Sequence, residues 1–297
     1  MIFFLNKVRK FSLIILIIVI GSYFANHFLI SRFKLQNKNM SLVFMGDSNV
    51  ETSIDDSLID NSINLAASGD SYLYTYIKLR KLIRDHKDQI DTVLVSFSPH
   101  NVFENDKIFS KSKIFSSYRI HYPIMEQNEI NLLFNISSKS IIYSILSLPV
   151  EFLKNCFKIL NNQPVFFGEY VEINKQQVYK YVKNLNEKEI TQLKNYSDIE
   201  IYYLNKIIDL VESECKTIML INTPKRIEIL KHRSYQMDGY KQLYDSIYSH
   251  IILVDLSEFE LDINDYADLI HLNKNGAQKI SNHIKEVGLK NLIKKNH

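Results

Sequence analysis

Five short apolar runs constrain this chain more than any other feature. They are Leu42–Met45, Ser62–Leu65, Thr92–Phe97, Thr217–Ile221 and Ile251–Asp255. They lack strict alternation and are rich in β-branched side chains, the composition of strands covered on both faces. Helical spacing fills the gaps between them. Tyr72, Tyr76, Leu79, Leu82 and Ile83 recur at that spacing over Ser71–His86, and Ile201, Leu204, Ile208 and Val211 over Asp198–Glu214. Asn275–Glu286 opens with Gly276-Ala277 and presents Ile280 and Ile284. Strands alternating with helices predict an α/β fold, a three-layer, doubly wound parallel sheet of flavodoxin-like type. Sites in such sheets form beyond the carboxyl ends of the strands.

Two segments break the alternation. Residues 104–197 contain Ser110-Lys111-Ser112-Lys113, an expected amphipathic helix near Ser140–Leu160, and Pro164-Val165-Phe166-Phe167-Gly168. They are expected to form a mainly helical insertion between the third and fourth strands, at the face where insertions shape substrate choice. The other segment is Phe11 to about Ile30, which carries no Asp, Glu, Lys or Arg. About 20 residues of helix cross a bilayer core. Lys7, Arg9 and Lys10 precede it and predict a cytoplasmic N-terminus with the rest exported, to the periplasm or the cell exterior of a bacterium. A cleaved signal peptide competes with an uncleaved anchor. Tyr23-Phe24-Ala25 makes a poor cleavage site, which favours the anchor. Asn26 and His27 are expected at the membrane interface, with residues 31–40 as a short polar tether. The organisation is therefore a cytoplasmic tip and transmembrane anchor over 1–34, then one α/β domain over 35–297.

Composition adds exclusions. With 297 residues and 46% hydrophobic, the chain can bury a substantial core. A net charge of +3 argues for no nucleic-acid partner. Cys156 and Cys215 lack metal-site spacing and are expected as two separate buried thiols, with a disulfide as the alternative. The histidines form no metal motif and no glycine-rich phosphate loop occurs, so neither metal nor cofactor is implied. Thr223-Pro224-Lys225-Arg226, after the fourth run, is expected as a solvated loop, with contact to an anionic substrate as the alternative.

Two motifs carry chemistry. Gly46-Asp47-Ser48-Asn49 follows the first run, and Asp268-Leu269-Ile270-His271 stands near the other end of the chain. A serine hydroxyl is a poor nucleophile until an imidazole takes its proton. The imidazole in turn needs a carboxylate to fix its tautomer and stabilise its charged form. Ser48, His271 and Asp268 supply these parts. Taken singly, Ser48 is a ready helix cap, and Asp262 and Asp265 rival Asp268 as loop carboxylates.

These blocks resemble those of the SGNH/GDSL hydrolase superfamily over roughly residues 40–285. The resemblance implies catalytic Ser48, Asp268 and His271, with oxyanion donors from the Ser48 N–H and from Gly69 after the second strand. The family's third block, Gly-x-Asn-Asp, departs here to Ser98-Pro99-His100-Asn101. Strict register puts His100 at the asparagine position, and a one-residue slip puts Asn101 there. Membrane-tethered relatives add or remove acyl groups on cell-surface polysaccharides. That implies an esterase or O-acyltransferase acting on an acylated carbohydrate, with a multi-pass membrane acyltransferase as the partner for transfer. A non-catalytic scaffold that keeps the fold is the reading from another class.

Overall fold

The computed structural model describes residues 1–35, 39–104, 109–161, 163, 165–174, 178, 195–232 and 234–288. The strands are β1 (Leu42–Met45), β2 (Ser62–Asn64), β3 (Thr92–Ser96), β4 (Thr217–Asn222) and β5 (Ile252–Asp255). The helices, in chain order, are α1 (Ile2–Arg32), α2 (Ser48–Ser53), α3 (Tyr72–His86), α4 (Pro99–Val102), α5 (Lys111–His121) and α6 (Gln127–Leu146). They continue with α7 (Leu148–Leu160), α8 (Asp198–Ser213), α9 (Ile227–His232), α10 (Ser234–Leu243) and α11 (Lys274–Val287). The chain packs as two compact units. One joins residues 1–36 to 106–166, the other residues 37–105 to 167–297.

The second unit is a mixed α/β fold around one five-stranded parallel sheet, in the order β2-β1-β3-β4-β5. Each strand falls on one of the apolar runs, with ends shifted by at most one residue. Phe44, Leu94 and Ile221 are fully buried in its core, with Val50 of α2, Ile54 directly after it, and Ile280 and Ile284 of α11. Burying a side chain of that size contributes about 1.5–3 kcal/mol. From β1 the chain steps outward to β2, then crosses to β3 on the other side of β1. The reversal therefore falls between the carboxyl ends of β1 and β3, where Gly46-Asp47-Ser48 and Ser98-Pro99-His100-Asn101 lie.

The first unit gathers α1, α5, α6 and α7. Residues Phe3–Arg32 form a helix long and apolar enough to cross a membrane. The single helix expected near Ser140–Leu160 is instead the end of α6 and all of α7, bent by 64°. Pro149, at the start of α7, has no N–H to give a continuous helix, and its ring would clash with the preceding turn. Ser147 closes α6 through its N–H to Tyr143 O and its Oγ to Ser144 O. Asn26, expected at the interface, is fully buried within this unit. Its Nδ2 donates to Tyr122 Oη (3.3 Å), and its Oδ1 accepts from Asn155 Nδ2 (2.9 Å). The thiols are separate and free as expected, but not buried. Cys156 is half-buried on α7, and Cys215 is exposed because it sits in the turn after α8.

Candidate active site

Ser48 is the first residue of α2, directly beyond β1. Two features set it there. Gly46 has φ +137°, and a Cβ on it would stand 2.3 Å from Ser96 Cβ on β3, so only glycine lets the strand end pass. Asp47 then caps α2, its Oδ1 accepting from Asn49 N (3.0 Å). The far end of α2 is held by Asn64 of β2. Its Nδ2 donates to Val50 O (3.0 Å) and Ile54 O (2.8 Å), while Ala66 N donates to its Oδ1.

His271 and Asp268 come from the loop between β5 and α11. Tyr266 and Leu272 pair as an isolated antiparallel bridge, which closes 267–271 into a tight loop. Asp268 Oδ1 accepts from Ile270 N and His271 N, both at 2.8 Å. Its Oδ2 lies 2.8 Å from His271 Nδ1, and His271 Nε2 lies 2.9 Å from Ser48 Oγ. With the Nδ1 proton donated to Asp268, Nε2 is left to accept from the serine hydroxyl. Burial pushes the Asp268 carboxyl up. The hydrogen bond and charge of His271 and the two N–H groups outweigh that push and hold it below its ordinary value. The rival carboxylates are committed elsewhere. Asp262 and Asp265 cap a short 3₁₀ turn, and Asp265 also takes Lys279 Nζ at 2.7 Å. Asn273 fixes the same loop, since it caps α11 and donates to Asn264 O.

The third block is turned onto Asp47. Asn101 Nδ2 donates to Asp47 Oδ2 (2.8 Å), and His100 Nε2–H donates to the same oxygen. His100 Nδ1 lies 2.9 Å from Ser98 Oγ, and Ser98 Oγ donates to Asn101 Oδ1 (2.8 Å). Burial raises the Asp47 carboxyl, but His100, Asn101 and the Asn49 N–H more than offset it and hold the group well below the carboxylate range.

Gly69 sits in an exposed turn after β2 with φ +71°, a backbone state that favours glycine. Ala67 N donates to Gly46 O (3.0 Å), which ties this turn to the end of β1. Ser68 Oγ donates to Glu51 of α2. Beneath the turn, Lys78 of α3 is fully buried. It pairs with Asp70 at 2.5 Å and donates to Leu65 O.

The loop Thr223-Pro224-Lys225-Arg226 is not solvated, because its cations have partners of their own. Lys225 is buried and donates to Asn222 Oδ1 (3.0 Å) and Thr223 O (3.2 Å). Arg226 forks onto Glu228, and its N–H donates to Leu269 O, so the loop supports the one that carries His271. Among the described residues, no group of three or more His, Cys, Asp and Glu side chains is gathered as a metal would require.

Sequence reading missed the supporting groups. The cap of α2 is Asp47, not Ser48 as the sequence suggested, and Asn273 caps α11. Asn64, Ser96 and Ser98 carried no signal, because their roles appear only once β1, β2 and β3 lie side by side.

No protein-family model matches this chain, and no curated protein matches it. A solved structure described as that of a "putative platelet activating factor from Streptococcus pneumonia" is similar to it at 12% identity and a TM-score of 0.40, covering 95% of this chain and 97% of that one.

Proposed function

We propose that this chain is a serine-dependent acyl-ester enzyme of SGNH type, an esterase or O-acyltransferase acting on cell-surface carbohydrate. The observation that carries this reading is the unbroken hydrogen-bonded series from Ser48 Oγ through His271 to Asp268. Ser48 Oγ attacks the acyl carbonyl carbon while His271 Nε2 takes its proton. The tetrahedral intermediate then collapses, the ester C–O bond breaks, and His271 returns the proton to the departing alcohol. Water or a sugar hydroxyl next attacks the acyl-enzyme, giving its proton to His271, and Ser48 is released reprotonated. Asp268 holds the imidazole in the required tautomer throughout.

The oxyanion is assigned to the Ser48 and Gly69 N–H groups, with His100 or Asn101 as the side-chain donor. Ser48 N–H belongs to the first turn of α2 and has no partner within the helix. Asn101 spends one amide hydrogen on Asp47 and keeps a second.

The strand order, with its reversal between β1 and β3, supports a doubly wound, three-layer SGNH-type domain over residues 35–297. The anchor over residues 1–34 spans the membrane with Lys7, Arg9 and Lys10 inside and the α/β unit outside. The choice of a surface glycan rests on that tether and on the superfamily resemblance. Transfer, as opposed to hydrolysis, requires a multi-pass membrane partner to bring the acyl donor across the bilayer.

One observation favours a second reading, a non-catalytic scaffold for such a partner. His100 Nε2–H is spent on Asp47, which leaves the second amide hydrogen of Asn101 as the one remaining side-chain donor of the third block. A fluorophosphonate probe separates the two readings. The full chain in micelles is expected to label, and Ser48→Ala and His271→Ala to abolish labelling. A folded chain that stays unlabelled leaves the scaffold reading standing. Product analysis with and without an acceptor glycan then separates transfer from hydrolysis.

A further inference from the structure

The unit formed by residues 1–36 and 106–166 has a mixed interior, with Asn26, Ser144 and Asn155 buried beside Ile30, Leu133 and Leu148, and it turns an apolar face outward. Tyr143 and Leu146 at the end of α6, and Val150, Leu153, Phe157 and Leu160 along α7, are all more than half exposed, Leu160 to 81%. The α7 residues recur every three or four positions, so they form one stripe on one face of the helix. Its opposite face is polar and buried. Asn155 is fully buried against Asn26 of α1, and Glu151 lies 3.4 Å from Arg119 of α5. Ser144 of α6 is likewise fully buried, its Oγ donating to Phe115 O and Ser140 O. Water as the surrounding medium would select the reverse arrangement. A soluble surface rarely carries a continuous apolar face of this kind, whereas hydrocarbon requires polar side chains to find partners inside the protein.

We propose that the bend between α6 and α7, together with the length of α7, is embedded in the bilayer beside α1 as a second, non-spanning membrane contact. Three features favour lipid over a protein partner. First, the face is continuous with a membrane-type helix. α7 docks on α1 through Asn155 and Asn26, and Asn26 lies six residues before the end of α1, about 9 Å of helix rise. That depth falls within the bilayer, near its surface. Second, the exposed charges of α6 and α7 are Lys139 and Lys154, while both acids of these helices, Glu129 and Glu151, are buried. Long basic side chains reach lipid phosphates from just below the interface, which acidic ones do not. Third, the exposed side of α6 toward its start mixes Asn131, Asn135 and Ser138 with the part-exposed Phe134 and Ile136. That mixture suits a helix at the membrane surface better than one that crosses the hydrocarbon. An open apolar groove lined by Phe115, Tyr143, Leu146 and Ser147 at the bend offers room for an acyl chain.

This inference rests on α1 being a membrane span, so its test reads α1 separately. The full chain is reconstituted in phosphatidylethanolamine–phosphatidylglycerol vesicles. Single cysteines at Leu16→Cys, Leu153→Cys or Phe157→Cys, each with Cys156→Ser and Cys215→Ser, carry an environment-sensitive fluorophore. Native Cys215, with Cys156→Ser alone, is the aqueous control. Leu153 and Phe157 are two-thirds exposed, so their replacement removes no core packing. Labels at Leu153→Cys and Phe157→Cys are expected to be quenched by acyl-chain nitroxide lipid at least about threefold more than the label at Cys215, and to be shielded from aqueous iodide. If they respond to iodide as Cys215 does while Leu16→Cys is quenched from the lipid, the embedding is overturned and a protein partner or a second copy owns the face. If Leu16→Cys is also iodide-accessible, the anchor reading falls together with the embedding.

Discussion

Glu200 offers the sharpest physical test of how the α/β unit is held together. It sits on α8, fully out of water, with one oxygen accepting from Tyr72 N at 2.7 Å at the start of α3. Among the described residues its other oxygen has no hydrogen-bond partner. Burial, and after it the charges of Asp47 and Asp70, push the carboxyl from its ordinary 4.5 up to about 8, against the opposing pull of the Tyr72 N–H. The fold therefore keeps Glu200 protonated where the unfolded chain has already released the proton. Below 4.5 both states are protonated and the stability is fully present. As pH rises toward 8 the unfolded state gains by ionising, and stability falls. At about 1.4 kcal/mol per pH unit the whole displacement amounts to about 5 kcal/mol, a ceiling that relaxation around the side chain lowers. Glu200→Gln removes the titration and keeps an oxygen for the Tyr72 N–H. Urea unfolding of both full chains in micelles between about pH 5 and 8 is the assay. The variant is expected to gain on the wild type by about 1 kcal/mol per pH unit across that window. A difference that stays constant with pH refutes the argument, because Glu200 then ionises as freely in the fold as outside it.

Two further perturbations act on the site itself. Asp268→Asn keeps the shape of the loop but loses the acceptor for His271 Nδ1–H, and is expected to slow fluorophosphonate labelling about 10³–10⁴-fold without loss of folded protein. A rate within tenfold of wild type, on the order of 1 kcal/mol, contradicts the orienting role of Asp268. Gly46→Ala forces a Cβ to within 2.3 Å of Ser96 Cβ at a φ of +137°, and is expected to cost about 3 kcal/mol in urea unfolding. Adding Ser96→Gly removes the clash and leaves the backbone strain, so recovery should be partial.

The α/β core was legible because local rules and tertiary structure agree there. β1 to β4 are buried on both faces beyond their first residues, the edge strand β5 is half-buried, and a short β-branched run has few other fates. Ser48 begins α2 just beyond β1, and Asp268 and His271 lie shortly before α11, so both motifs stand beside elements that the pattern specifies. Asp47 was overlooked. The sequence suggests Ser48 as the helix cap, whereas the fold makes Asp47 the cap and also gives it His100, Asn101 and Ser96 as partners, a convergence that depends on β1 and β3 being neighbours. The Lys225–Arg226 loop was misread for a similar reason. Two adjacent cations suggest solvent until Asn222 and Glu228 are seen beside them. At the Ser140–Leu160 segment the apolar periodicity was visible, but the break at Ser147 and Pro149 was not weighed against it.

The deeper difficulty with that segment is the reference medium. Hydrophobic periodicity is informative only when one knows what the other face meets, and water is the usual assumption. In the α/β unit the assumption holds, since Ile280 and Ile284 of α11 are buried while Lys285 on the same helix is half exposed. For α7 it inverts, with Asn155 buried and Leu153 and Phe157 exposed. One clue to the inversion was present in the chain from the start. Asn26 is an amide in a long, mainly apolar helix, and such a residue calls for a hydrogen-bond partner from elsewhere in the chain wherever the helix meets lipid, because lipid can supply none. The fold supplies two, Tyr122 and Asn155, each about a hundred residues or more away in sequence. An unexplained polar group in a long apolar helix is therefore a reason to look for a later segment that packs against it, and here that segment is α7.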